Sequence, residues 1–337
     1  MAGISLILQN NPNVTAINCG TSSPRLGGTV DISAFPNLQQ FTCNSNDITA
    51  ISGYADNSNL RVVQFSRNKI TGFIPSLSGL TNLQIFWCQT NQLTGPIPSL
   101  SGLTQLRSLL LFNNYLTGSI PAVSGSPLLQ DLYVNNQLGA TKLTGPIPDL
   151  SLNTALLVVH LAQNQLTGSI PALTQLTQLQ NFQCQSNQLT GSIPSLSGLT
   201  QLQNFFCESN QLTGPIPSLN GLSSLRQFTC QLNQLTGQIP SLSGLNGLTL
   251  FRCFSNQLTG FAGGSVSNTL GEFLAHNNQL TSTAVNAILA AFVAAGRTSA
   301  NGTCVLNLGG TGNAAPTGQG LTDKATLISR GWTVTTN

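Results

Sequence analysis

Charge is the scarcest thing in this chain. Only 6% of its 337 residues are Asp, Glu, Lys or Arg, where an ordinary soluble domain carries about a quarter. Eleven basic residues stand against eight acidic ones, for a formal net charge of +3. The basic residues are scattered, so no phosphate-neutralising surface for nucleic acid is expected, and no attraction to anionic membranes. No apolar run is long enough to span a bilayer, so membrane insertion is not expected. The opening Met1-Ala2-Gly3-Ile4-Ser5-Leu6-Ile7-Leu8-Gln9-Asn10 lacks a basic n-region and has too short an apolar core for a secretory signal. The expectation is synthesis in the cytosol, with any exit by a route other than the signal-peptide one.

Catalytic constellations are equally sparse. His160 and His276 are the only histidines, and they lie far apart in the chain. His160 falls near Asp131 and Tyr133 of the preceding segment, with no nucleophilic Ser or Cys evident beside them. Glu272 and His276 share one strand but lie roughly 13 Å apart along it, too far for a common metal. The glycines at 302, 309, 310, 312 and 318 enrich one loop, yet no Lys-Ser/Thr follows as a phosphate loop requires. No carboxylate pair stands out for glycosidase chemistry. Neither catalysis, nor a metal, nor a cofactor is expected.

What is present is repetition. The phrase Leu202-Gln203-Asn204-Phe205-Phe206-Cys207-Glu208-Ser209-Asn210-Gln211-Leu212-Thr213-Gly214-Pro215-Ile216-Pro217 returns at Leu179 and Leu225 in nearly the same words. Its register is marked by Asn46, Asn68, Asn91, Asn114, Asn164, Asn187, Asn210, Asn233, Asn256 and Asn278, mostly about 23 residues apart. Gln137 takes the asparagine place in the repeat beginning at Leu129, and an insertion of about four residues follows near 138–141. A weaker first repeat carries Val14, Ile17 and Cys19, with Ser22 at the ladder position. The reading is about twelve repeats of 22–23 residues over 14–281, between an N-terminal cap at 1–13 and a C-terminal cap at 282–337.

The pattern L-x-x-L-x-L/C-x-x-N-x-L has a direct physical meaning. Alternation at its centre is the period of a short strand with one buried face. One repeat cannot bury its own core, so the strands stack into a parallel sheet. A buried Asn can bond backbone groups of the following turn that no apolar side chain would satisfy.

With L-T-G-x-I-P after the asparagine, the unit resembles the plant-type leucine-rich repeat of receptor kinases and polygalacturonase inhibitors. The match covers roughly 14–281, and Ile-Pro is followed by S-L-S-G-L-T-x-L, one residue shorter than the usual plant unit. The resemblance implies an α/β repeat solenoid: a right-handed superhelix with a concave parallel β-sheet, binding through exposed strand positions. It does not carry over plant function, because signal, paired cap cysteines and kinase are missing from the sequence.

The C-terminal segment departs from the repeat. Ser282 or Thr283 can cap a helix whose stripe is Val285, Ile288, Leu289, Phe292 and Val293, ended by Gly296. A strand over 303–308, a helix over 321–330 and a strand over 332–336 follow. Asn313-Ala314-Ala315-Pro316 with Ala325-Thr326-Leu327-Ile328-Ser329-Arg330-Gly331-Trp332-Thr333-Val334 resembles the C-terminal cap of repeat proteins encoded by bacteria and their phages.

Seven of the eight cysteines (Cys19, Cys43, Cys88, Cys184, Cys207, Cys230 and Cys253) share one inward repeat position, three before the asparagine. Stacked about 4.8 Å apart, their side chains point alike, which hinders bridging and does not converge on a metal. Free, buried thiols acting as small core residues are expected.

Two surfaces remain for binding. On the sheet, outward positions bring together Trp87, Leu110, Phe112 and Tyr133, with His160 beside them, and a looser group of Phe206, Arg252 and Phe254. Exposed aromatics among amides suit a protein contact or sugar stacking, unless they pack against the insertion near 138. The second surface is the column Thr49, Thr71, Thr94, Thr117, Thr144, Thr167, Thr190, Thr213, Thr236, Thr259 and Thr281. Such a ladder invites an ice-binding reading, but the neighbouring column (Phe73, Pro96, Ser119, Pro146) is irregular. The leading expectation is a structural recognition protein at a phage virion surface, as tail fibre or decoration, contacting host envelope or neighbouring virion proteins. The alternatives are a bacterial surface adhesin or effector leaving by a non-Sec route, binding glycan or protein, and an ice-binding protein.

Overall fold

The computed structural model describes residues 11–20 and 24–337. The cap expected over 1–13 lies mostly outside these residues, and Ser22 lies outside them too. The chain divides into two compact units, one running to Thr167 and the other from Gly168.

In the first unit each coil gives one three-residue strand to a parallel sheet. The strands Ala16–Asn18, Gln40–Thr42, Val62–Gln64, Ile85–Trp87, Ser108–Leu110, Asp131–Tyr133 and Val158–His160 pair in that order. The central residues Phe41, Val63, Phe86, Leu109, Leu132 and Val159 are fully buried, while their neighbours face outward, as a period of two requires. The Leu-Thr-Gly segments form a second parallel sheet of Thr71–Phe73, Gln92–Pro96, Tyr115–Ser119, Leu143–Pro146 and Gln165–Thr167.

The second unit repeats the plan with Asn181–Gln183, Asn204–Phe206, Gln227–Thr229, Leu250–Arg252 and Glu272–Leu274. Its core carries a column of rings: Phe182, Phe205, Phe228, Phe251 and Phe273 stack with centroids 5.4–5.5 Å apart and planes within 14°. Identical side chains one strand spacing apart can adopt one rotamer and stack offset.

The asparagines join coil to coil. Asn114, fully buried, donates from Nδ2 to the carbonyls of Leu111 (3.0 Å) and Cys88 (3.1 Å) and accepts the Leu93 N–H on Oδ1 at 3.1 Å. Gln137 makes the same set with a longer arm: Nε2 reaches Val134 and Leu111 carbonyls, and Oε1 accepts the Leu116 N–H at 3.0 Å. The residue before each ladder position holds a left-handed φ of 52–60°, from Ser45 to Asn277. None of these residues is glycine.

The cysteine column is inward and unbridged. Cys43, Cys88, Cys184, Cys207, Cys230 and Cys253 are buried, and burial pushes the thiols of Cys88, Cys184 and Cys253 far up. Cys19 differs, being half-exposed.

The C-terminal segment adds α1 (Ser282–Ala295), the strand Val305–Asn307, α2 (Gln319–Ser329) and the strand Thr333–Thr335, the two strands extending the sheet. The N-cap of α1 is Thr281 rather than Ser282 or Thr283. Thr281 is extended and its hydroxyl accepts the Ala284 N–H at 3.2 Å, so the last threonine of the column doubles as the cap. Gly296, at φ 74°, closes the helix. Ala284, Val285, Ile288, Leu289 and Phe292 are buried on its inner stripe. Trp332 packs edge-on against Phe292 at 5.2 Å and donates to the Arg297 carbonyl at 3.0 Å.

Candidate functional site

The outward positions of the first unit's sheet form three columns. The strand registers set Trp87, Leu110, Tyr133 and His160 side by side on consecutive coils. Successive strands lie about 4.8 Å apart, so these four side chains form one continuous strip. Phe112 joins it from the next column, its ring 6.1 Å from Tyr133, and Tyr133 meets His160 edge-on at 5.6 Å. All five are half-buried. The strip packs on itself; the ring that lies beside the 138–141 insertion is Tyr115, whose Cδ1 would stand 3.6 Å from a side chain at Gly139.

In the column before the strip the sequence placed Asp131 near His160 but did not single out Ser108, and Ser108 fixes the strip in place. Trp87 donates its Nε1–H to Ser108 Oγ at 2.9 Å, and Ser108 is only 5% exposed. Asp131 pairs with Ser108 in register. Burial pushes the Asp131 carboxyl up, against the pull of the Ser108 hydroxyl. Tyr133 is raised by burial and by the charge of Asp131. Burial brings His160 down to about 4, so its imidazole is neutral at pH 7 and offers one donor and one acceptor. The result is a preformed apolar and aromatic platform with a few polar handles.

The second unit's face is more polar. Phe206, Thr229 and Arg252 occupy successive strands, so Phe206 and Arg252 lie two strands apart. Arg252 is tied to Glu272, with Nε 2.6 Å from Oε1, and does not stand as an unpaired cation. Phe254 stacks on His276 at 4.4 Å with planes 11° apart, and burial lowers His276. Thr229 donates to Glu208 Oε2 at 2.5 Å.

The threonine column runs across the strands of the second sheets, and several of its hydroxyls are engaged. Thr94 donates to Gly72, Thr144 to Gly118, Thr213 to Gly191 and Thr259 to Gly237, each to the carbonyl one coil back at 3.3–3.4 Å. Among the described residues no group of three or more His, Cys, Asp or Glu is placed to hold a metal. No helix among them is long and apolar enough to cross a membrane.

Solved structures resemble this arrangement. A TDR receptor is 26% identical with a TM-score of 0.72, covering 90% of this chain and 52% of the receptor. An internalin of Listeria monocytogenes is 25% identical with a TM-score of 0.54, covering 77% of this chain and 73% of its own. The plant peptide hormone receptor RGFR1, in complex with RGF2, is 24% identical with a TM-score of 0.57, covering 80% of this chain and 56% of its own. The fold is a leucine-rich-repeat solenoid. This chain spans about half the length of these two receptors. No protein-family profile matches the chain, and no curated protein matches it.

Proposed function

We propose that this protein is a non-enzymatic recognition protein, and that the first unit's strip of Trp87, Leu110, Phe112, Tyr133 and His160 is its contact surface for an extended segment of a partner protein. The observation that carries the reading is the tether from Trp87 to Ser108. The core asks for no indole at an outward strand position, yet this one is oriented by a nearly buried hydroxyl. Aromatic side chains fixed before binding lose little entropy on contact, which is what an interface anchor requires. The same fold serves as a plant peptide hormone receptor, which favours a peptide or protein partner over a glycan.

The test is parallel screening of the purified chain on a peptide array and a glycan array, with a Trp87→Ala/Tyr133→Ala variant alongside. Peptide binding that the variant loses supports the proposal. Binding that the variant keeps, or binding confined to glycans, overturns it.

A finer placement, on a phage particle and facing the host envelope or a neighbouring virion protein, is supported by the resemblance of the C-terminal cap alone. A bacterial surface adhesin or effector is the competing placement. Mass spectrometry of purified virions separates them: presence of the chain supports the first, and absence with recovery from bacterial cell surfaces supports the second. Ice binding is not favoured, because several of the threonine hydroxyls already donate to glycine carbonyls and the neighbouring column is irregular.

A further inference from the structure

The second unit carries a row of hydrogen-bond acceptors that lack donors. The Ser186 N–H donates to the Glu208 carbonyl and the Ser209 N–H to the Gln231 carbonyl, both at 3.0 Å, which sets Gln185, Glu208 and Gln231 side by side on adjacent coils. Their spacing is one strand step, about 4.8 Å. Gln185 Oε1 and Gln231 Oε1 are both buried with no hydrogen-bond partner among the described residues. Gln231 as a whole is only 7% exposed. Leaving a buried amide oxygen unpaired is costly, so two in one row call for a donor from outside.

Charge points the same way. Glu208 lies between the two amides and makes no ion pair among the described residues. Thr229 supplies one donor to its Oε2, while a carboxylate accepts about four. Arg252 and Glu272 cancel each other by their own bond, and burial lowers His276 so that it is neutral at pH 7. One negative charge is therefore left in the row. Phe206, two residues before Glu208 on the same face of the chain, and Phe254, next to Gln231 through the bond from the Leu232 N–H to the Phe254 carbonyl, supply aromatic surface at its edges.

We propose that the Gln185–Glu208–Gln231 row is a binding site for a guanidinium group, an arginine side chain of a protein partner. A guanidinium brings five donors in a plane. Two can bind the carboxylate in parallel, and the rest can pair with the flanking amide oxygens once Gln185 and Gln231 rotate them outward from their buried positions, while its faces stack on phenylalanine. An ammonium is a compact point charge and fits the spread row less well. The site does not depend on the aromatic strip of the first unit.

The experiment is a titration of the full chain with acetylated tri-arginine amide, tri-lysine amide and the uncharged tri-citrulline amide, followed by backbone amide NMR. Saturable shifts confined to Gln185, Glu208, Thr229 and Gln231, with arginine binding tighter than lysine and citrulline not binding, are expected. Glu208→Gln should weaken tri-arginine roughly tenfold or more. Gln185→Lys, which places a cation in the row from within, should abolish binding in a chain of unchanged circular dichroism. It guards against a folding defect in the first variant. The Trp87→Ala/Tyr133→Ala variant should bind tri-arginine as the parent does. Equal binding of citrulline and arginine, wild-type affinity in both row variants, or no saturable shift at millimolar peptide would overturn the proposal.

Discussion

The indole N–H of Trp87 donates to the hydroxyl of Ser108 across adjacent coils at 2.9 Å. This bond joins two of the outward columns of the first unit's sheet and explains why a tryptophan at the surface has one orientation. Ser108→Ala removes the acceptor and leaves the half-buried N–H to water. The expected cost is about 1 kcal/mol in urea unfolding, with a red shift of tryptophan emission, since the indole is released toward solvent. Unchanged emission would mean that Ser108 does not hold the ring.

The ladder should be the least tolerant set of polar residues. Asn114→Ala strands the Leu93 N–H and two carbonyls in a fully buried place, and about 2–4 kcal/mol of stability should go with it. Thr213→Val, by contrast, loses one exposed hydroxyl bond and should cost under about 1 kcal/mol. Chemical denaturation of the two variants checks the ranking.

Leu232 is a branched residue in the left-handed region at φ 57°, and it is 49% exposed. Its side chain gains little from burial there, and the conformation costs roughly 1 kcal/mol that Asn or Gly avoids. Leu232→Asn should raise the melting temperature by a few degrees, about 0.5–1 kcal/mol in stability. A lower melting temperature would show that the leucine makes contacts outweighing the strain.

His160 gives the protein a pH dependence of definite sign. Its pKa is about 4 in the folded chain, lowered by burial, against about 6.5 when unfolded. The unfolded state therefore takes up a proton first as pH falls. Stability from this group is complete above pH ~6.5 and is lost as pH drops toward ~4. The group is partly open to solvent, so the loss should be held to about 1–2 kcal/mol. Asp131 and Tyr133 face the same strip, so the comparison is the parent against His160→Gln across this window. Parallel stability curves would contradict the assignment.

Much of this architecture is legible in the repeat itself. The inward cysteines, the outward column through Trp87 and Tyr133, and the asparagine register all follow from a period of two inside a period of about 23. Gln137 reads as an irregularity in sequence, yet one extra methylene lets it make the asparagine's bonds. What the pattern hides are contacts between coils at positions where residue type varies. Ser108 looks like an ordinary polar strand residue until register sets it against Trp87 and Asp131. The pair of Arg252 and Glu272 spans a coil and is invisible to any local motif. Thr281 reads as one more ladder threonine, and only the chain's turn into a helix makes it a cap.

The central claim is that the partner lies across the outward strand face of the first unit, and site-specific photo-crosslinking tests it most directly. A photoreactive phenylalanine would replace Leu110, in the middle of the strip, or Pro146, an exposed residue on the second sheet of the same unit. The account predicts crosslinks to the partner recovered from the peptide array at Leu110 and none at Pro146. Crosslinks at Pro146 with none at Leu110 would contradict it.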